Sequence, residues 1–310
     1  DDIVIRDNYC SKISQAAYIN HPIDLVMQSG YLASSFSLVV IDAVVDKISF
    51  KDCLRRIVAM KPMGVFSLTG NASWSTDQQF FGELKRYLPD TKVVLSGDIF
   101  LEDAEQYLHS NPFIDGILLD YMEPSLLEFF SGNQGPFKHM VYRDNQGKIC
   151  NHLFRSPRPV TVSPPTPQHQ LFTGKKYRYP FVRSKRFATV VTEFGCPFHC
   201  AFCVMGTLGC KRRPVEDVMQ ELDTLAKLKI RDVFFLDQTF GSKQSRNLQL
   251  CEAIATQHPT LRWVCFSRVD VVNEKILREM KSAGCHTIIF GVETASPELL
   301  KEYRKGYTLD

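Results

Sequence analysis

Apolar residues recur along this chain in two alternating patterns. Short runs rich in valine, isoleucine, leucine and phenylalanine predict strands at 3–6, 38–41, 64–68, 92–96 and 116–119. Between them, apolar positions at three- and four-residue spacing predict amphipathic helices over 22–34, 49–59, 75–87 and 102–109. Strand and helix in alternation imply a parallel sheet covered by helices, a Rossmann-like α/β arrangement. Val141–Arg143 and Lys148–Cys150 flank Asp144-Asn145-Gln146-Gly147 and predict a hairpin. Pro157, Pro159, Pro164, Pro165 and Pro167 follow, and so many prolines predict an extended linker. A second βα series begins at Phe187, with strands at 187–192, 232–236, 262–266 and 287–290 and helices at 215–228, 244–256, 274–283 and 297–303. The expected organisation is a Rossmann-like domain over 1–137, a hairpin and linker over 138–183, and part of a TIM-like βα barrel over 184–310. Four βα units leave a sheet edge open, so the barrel is expected to continue past Asp310.

Composition narrows the class. With 310 residues the chain suits two domains, and a net charge of +3 is too small to argue for nucleic acid. The basic stretch from Lys175 to Arg186 reads as a solvated segment before the barrel. The longest apolar run, 38–45, is broken by Asp42 and is too short to span a bilayer, and no signal peptide is visible. Cys53, Cys251, Cys265 and Cys285 fall in apolar-periodic segments and read as buried thiols of a reducing compartment. A cytoplasmic location is expected.

Cys196, Cys200 and Cys203 stand apart. They read C-P-F-H-C-A-F-C in a loop after the first barrel strand, on the face where barrel active sites lie. Three thiolates in one loop can hold three irons of a cubane cluster and leave the fourth open. A zinc knot that adds Cys210 is the structural alternative. The spacing, with Phe202 before the last cysteine, resembles the signature of the radical S-adenosylmethionine (SAM) enzymes. The resemblance extends through Arg212-Arg213-Pro214, the strand tip Leu236-Asp237-Gln238-Thr239, Ser267-Arg268-Val269-Asp270, Gly291-Val292-Glu293-Thr294, and Lys305-Gly306-Tyr307-Thr308. It implies a 4Fe–4S cluster on Cys196, Cys200 and Cys203, which cleaves SAM to a 5′-deoxyadenosyl radical. It also implies SAM contacts from Phe202 to adenine, Asp237 to the amino group, Arg268 to the carboxylate and Glu293 to the ribose. Each has a plainer role open to it: core packing for Phe202, helix capping for Asp237 and Glu293, pairing with Asp270 for Arg268. Relatives often carry serine-arginine-glycine before the first cysteine, where this chain has Glu193-Phe194-Gly195.

The first domain resembles the cobalamin-binding domains fused to such barrels, on Pro22–Leu25, Tyr31–Ser34 and Val39–Ala43. Ser67, Thr69 and Gly97 fall after two of its strands, at the edge where open α/β sheets bind ligands, and are the expected cobalamin contacts. Cobalamin domains with a protein axial ligand carry D-x-H-x-x-G; here Asp7-Asn8-Tyr9-Cys10-Ser11-Lys12 puts Tyr9 at the histidine position. The expected activity is therefore a cobalamin-dependent radical SAM methyl transfer to an unactivated carbon or to phosphorus. A radical rearrangement, oxidation or cyclisation beside a vestigial cobalamin domain, and a zinc-stabilised binding module, remain alternatives. Expected partners are a small-molecule or biosynthetic-intermediate substrate and a reductant such as flavodoxin or ferredoxin, with no nucleic acid.

Overall fold

A computed structural model describes residues 19–153, 156 and 158–309. The strand expected at 3–6 and the segment around Tyr9 lie outside them. The chain divides into two units, Asp1–Phe154 with Pro167–Pro180 and Arg155–Thr166 with Phe181–Asp310.

The first unit runs α1 (Ile23–Leu32), α2 (Phe50–Met60), β1 (Gly64–Leu68), α3 (Trp74–Tyr87), β2 (Lys92–Ser96), α4 (Ala104–Ser110), β3 (Gly116–Leu118), α5 (Ser125–Phe130), β4 (Met140–Arg143) and β5 (Ile149–Asn151). Its sheet has the order β1-β2-β3-β4-β5, parallel through β3 and antiparallel after it. Strand β2 is buried on both faces, which is why it reads as an unbroken apolar run. Val93 and Leu95 point to a core with α2, α3 and α4 residues such as Leu54, Leu84 and Leu108. Val94 points the other way, to Leu32 of α1 and to Leu126 and Phe130 of α5.

No strand forms at 38–41. Leu38 and Ile41 still pack against the two cores, but Val39 is 70% exposed and the segment has no ladder partner among the described residues. The buried Asp42 carboxylate ends it, accepting from the Val45 amide (3.2 Å) and the Tyr177 hydroxyl (2.9 Å) and so starting a turn. The stretch 138–183 is shared between the units. Its hairpin completes the first sheet, whereas β6 (Val160–Thr161) joins a small sheet of the second unit.

The second unit continues with β7 (Ala188–Val190), β8 (Glu193–Gly195), β9 (Cys210–Arg212), α6 (Val215–Lys227), β10 (Asp232–Phe235), α7 (Gln244–Gln257), β11 (Arg262–Ser267), α8 (Glu274–Ser282), β12 (Cys285–Phe290) and α9 (Pro297–Glu302). Strands β7, β10, β11 and β12 are parallel neighbours in sequence order, the arrangement of a βα barrel wall. Helices α6, α7 and α8 cover one face through Leu222, Leu225, Leu250, Ile254, Ile276 and Met280, packed on Val190, Val233, Phe235 and Trp263. Trp263 is fully buried, and its indole N–H donates to the Ala283 carbonyl at 2.8 Å. This packing leaves the C-terminal strand tips to carry the polar residues described next.

Candidate cluster and cofactor site

The cysteine loop, 196–209, is closed at its neck by the antiparallel pair β8 and β9, which sets Gly195 opposite Cys210. The Cys196 amide donates to the Gly209 carbonyl at 3.1 Å. Gly195 lies at φ 71°, and a Cβ there would come within 2.0 Å of that same carbonyl oxygen, so only glycine fits. Gly206 is a second close crossing, where a Cβ would lie 2.3 Å from the Phe198 carbonyl oxygen. Between these points Cys200 and Cys203 share a turn, with the Cys203 amide donating to the Cys200 carbonyl at 3.1 Å.

All three thiols are free and half-buried. Burial pushes the Cys196 thiol up from its ordinary value, partly offset by hydrogen bonds from the Phe198 amide and Thr239. The Thr239 hydroxyl lies 3.6 Å from its sulfur. Cys210 is buried in β9, and burial pushes its thiol up to about 12, so it stays protonated and inert. A single zinc ion holds thiolates at about 2.3 Å, which crowds its ligand atoms to within about 4 Å of one another. No set of cysteines does this among the described residues; the group that converges to within 4.8 Å is Asp120, Glu123 and His139 of the first unit.

Arg268, at the tip of β11, brings the loop and barrel together. It is 5% exposed and makes a two-pronged pair with Asp270, 2.9 Å on each arm. Its remaining Nη1 points to the Cys200 sulfur at 3.3 Å, and its guanidinium stacks 3.9 Å from the Phe198 ring centroid. Pairing with Asp270 and facing the cysteine loop are thus simultaneous. Phe202 is 56% exposed, with its ring edge-on to Tyr303 at 5.5 Å. Glu293, after β12, holds the left-handed backbone at φ 64° and faces Lys305 at 3.4 Å. Helix α9 is capped by Ser296 rather than by Glu293.

Asp237, after β10, is completely buried. Its Oδ1 accepts from the Thr192 and Glu193 amides (2.6 and 3.0 Å), and its Oδ2 accepts from the Thr192 hydroxyl (2.6 Å). It caps no helix; it ties the end of the first barrel strand to the second. Burial, then the nearby Glu193 charge, raises its pKa to about 6. Glu193 is itself held by the Ser242 hydroxyl (2.5 Å), Arg212 (3.2 Å) and Arg246 (3.6 Å). Arg213 and Glu221 form a fully buried pair at 2.5 Å beneath the same tip, with Arg213 also donating to the Val191 carbonyl at 2.8 Å. The sequence marked Arg213 only as preceding a helix.

In the first unit, Ser67, Thr69 and Gly97 come together where β1 and β2 end. The Thr69 amide donates to the Ser96 carbonyl at 2.9 Å, and Gly97 lies so close that a Cβ would come within 2.0 Å of the Thr69 carbonyl oxygen. The Thr69 hydroxyl is tied to Asp77, and Ser96 on the next strand to Asp24 of α1. Burial raises the Asp24 carboxyl to about 6, with Asp98 and Asp120 repelling its charge. The loop after β3 is fixed by Gln28, whose amide donates to the carbonyls of Tyr121 (2.8 Å) and Glu123 (2.9 Å), and by the Tyr31 hydroxyl on the Met122 carbonyl (2.8 Å).

Residues 190–310 match the family model of the radical SAM superfamily. This part of the chain is a radical SAM domain. Across 93% of its length the chain is 28% identical to an uncharacterized methyltransferase of Pyrococcus horikoshii, covering 64% of that protein. It is 25% identical over 138 residues to the hopanoid C-3 methylase of Methylococcus capsulatus, covering 43% of this chain and 27% of that one. The chain thus spans less than two thirds of the length of these relatives. In fold, 94% of it superposes on 62% of TsrM from Kitasatospora setae, a radical SAM methyltransferase solved with cobalamin and a 4Fe–4S cluster bound, with TM-score 0.74 and 18% identity. It also superposes on the cobalamin-dependent SAM radical enzyme OxsB, with TM-score 0.68, 18% identity, and coverage of 92% of this chain and 43% of OxsB. Both superpositions take in residues of the two units, so the likeness in fold is not confined to the radical SAM domain.

Proposed function

We infer that this chain acts as a cobalamin-dependent radical SAM methyltransferase, transferring a methyl group to an unactivated carbon or to phosphorus of a small-molecule substrate. The observation that carries the reading is the contact of Arg268 with Cys200: it joins the cysteine loop to a strand-tip cation inside the radical SAM domain. The methyltransferases among its relatives and the cobalamin bound in TsrM support the choice of reaction.

Bound cofactors supply the hard chemistry: the cluster gives the electron that cleaves SAM, and cobalamin carries the methyl group. The protein supplies position and charge. Cys196, Cys200 and Cys203 each offer one thiolate. Arg268, kept ionised by Asp270, offers a charge-assisted bond to the SAM carboxylate beside Cys200. The exposed Phe202 ring offers a face to adenine, and Glu293 an acceptor to the ribose hydroxyls. Asp237 acts from behind the β10 tip, its buried carboxylate holding the Thr192 and Glu193 amides and the Thr192 hydroxyl. Ser67, Thr69 and Gly97 would meet cobalamin at the strand edge of the first unit. A flavodoxin- or ferredoxin-type reductant would deliver the electron.

The test is anaerobic reconstitution with iron, sulfide and hydroxocobalamin. One corrinoid per chain, and 5′-deoxyadenosine formed from SAM after reduction, are expected. A chain that takes up the cluster and cleaves SAM but binds no corrinoid would overturn the methyltransferase reading.

A further inference from the structure

Lys305 belongs to none of the roles assigned above, yet it touches most of them. Helix α9 ends with Arg304 in the left-handed conformation at φ 52°, with the Arg304 amide on the Lys301 carbonyl (3.1 Å) and the Lys305 amide on the Leu300 carbonyl (3.0 Å). Gly306 then takes φ 76°. These two turns swing the chain back towards the strand tips and bury the Lys305 side chain to 3% exposure. Its ammonium donates to the Gly291 carbonyl at 3.0 Å and faces the Glu293 carboxylate at 3.4 Å. Its own carbonyl accepts from Arg268. The ammonium also lies 5.8 Å from the ring centroids of Phe202 and Tyr307, and Tyr307 lies 5.4 Å from the Arg268 guanidinium. Two residues earlier, the Tyr303 carbonyl accepts from the Ala201 amide at 2.9 Å, inside the cysteine loop.

One short segment is therefore hooked to the cysteine loop, to Arg268 and to the tip of β12. Non-glycine residues rarely adopt the left-handed conformation without a reason, and here Glu293 and Arg304 both do so around the same ammonium. A long, charged side chain is seldom buried unless it is paired; this one is paired to a single carboxylate and a carbonyl at the rim of the site.

We propose that Lys305 is a positioning residue for SAM, its ammonium fixing Glu293 and its carbonyl fixing Arg268, so that the segment after α9 clips the SAM-facing groups onto the cysteine loop. The proposal rests on the SAM-binding reading above. The ammonium acts through Glu293; it does not itself have to touch SAM.

The test uses anaerobically reconstituted holoprotein. Lys305→Met keeps the side-chain length and removes the charge. It should retain the wild-type iron and sulfide content and bind SAM about tenfold more weakly, as expected for loss of one charge-assisted bond. The spectral change that SAM induces in the reduced cluster should shrink accordingly. In a double-mutant cycle, Lys305→Met should add little to the loss already caused by Glu293→Gln. Unchanged SAM affinity in Lys305→Met, or additive losses in the cycle, would overturn the proposal. If Lys305→Met fails to take up iron, Lys305→Arg decides. Restored iron content and SAM affinity support the charge-positioning role, and failure of both variants alike contradicts it. Wild-type protein that binds no SAM would defeat the underlying reading instead, so the two failures are separable.

Discussion

At the scale of the residue, the site depends on which polar groups are held and which are left facing outward. Cys200 meets Arg268, whereas Cys210 is shut into β9 and stays protonated. Cys200→Ala is accordingly expected to abolish cluster absorption and its spin-resonance signal, while Cys210→Ala keeps both, measured on reconstituted protein. Asp237 makes the opposite case, a carboxylate spent entirely on two backbone amides and a hydroxyl. Asp237→Ala leaves two buried amides and a hydroxyl without their acceptor, at about 1–3 kcal/mol for each orphaned group. Asp237→Asn can keep all three bonds, since the amide oxygen accepts both N–H groups and its NH2 can donate to Thr192. The pH dependence follows from the raised pKa. The folded state holds the Asp237 proton more tightly than the unfolded chain, so stability falls as pH rises from the ordinary value of 3.8 to about 6 and is level above that. Urea midpoints across that window should decline less steeply in Asp237→Asn, with Asp24, raised for the same cause, supplying the remaining slope. The three cysteines were legible in the sequence because their spacing is local. The burial of Asp237 was not, because its partners sit on another strand and only the fold brings them together.

At the scale of the element, the loop neck is the most constrained feature. Gly195→Ala forces a left-handed alanine, costing about 1–2 kcal/mol, and drives a methyl into the Gly209 carbonyl. Reduced iron uptake with the barrel fold retained by circular dichroism is the expected result; normal uptake would show that the neck is not needed to present the thiolates. Long elements with a strong period were legible: α2, α3, α6, α7 and α8 fall where their apolar spacing put them. Residues 38–41 misled because a short apolar run alone predicts a strand, while a strand also needs a neighbour to pair with and none is present among the described residues. Helix α5 escaped notice because six residues carry too little periodicity, although Leu126 and Phe130 stand one turn apart on its buried face. Strands β6, β8 and β9 are two or three residues long and exist only as the frame of the cysteine loop, so no run of side chains announces them.

At the scale of the whole molecule, the relative direction of the strands was the most readable property. Alternating βα units gave parallel sheets in both units, and the two antiparallel strands of the first sheet came from a hairpin marked by its turn residues. Less readable were two polar groupings in the radical SAM domain, one of Asp237, Glu193 and Arg246 and the other of Arg268, Lys305 and Glu293. These residues come from strand ends, from helix α7 and from the segment after α9, and their charges look like ordinary surface residues until the fold brings them together. No helix among the described residues is long and apolar enough to cross a membrane.

The central claim is that the loop of Cys196, Cys200 and Cys203 carries a 4Fe–4S cluster with one iron open to SAM beside Arg268. Electron–nuclear double resonance of the reduced, reconstituted protein with SAM labelled at its amino nitrogen and carboxylate carbon tests it most directly. Hyperfine coupling to both labels is predicted, weakened or lost in Arg268→Ala with the cluster retained. A reduced cluster with no coupling to either label would contradict the account.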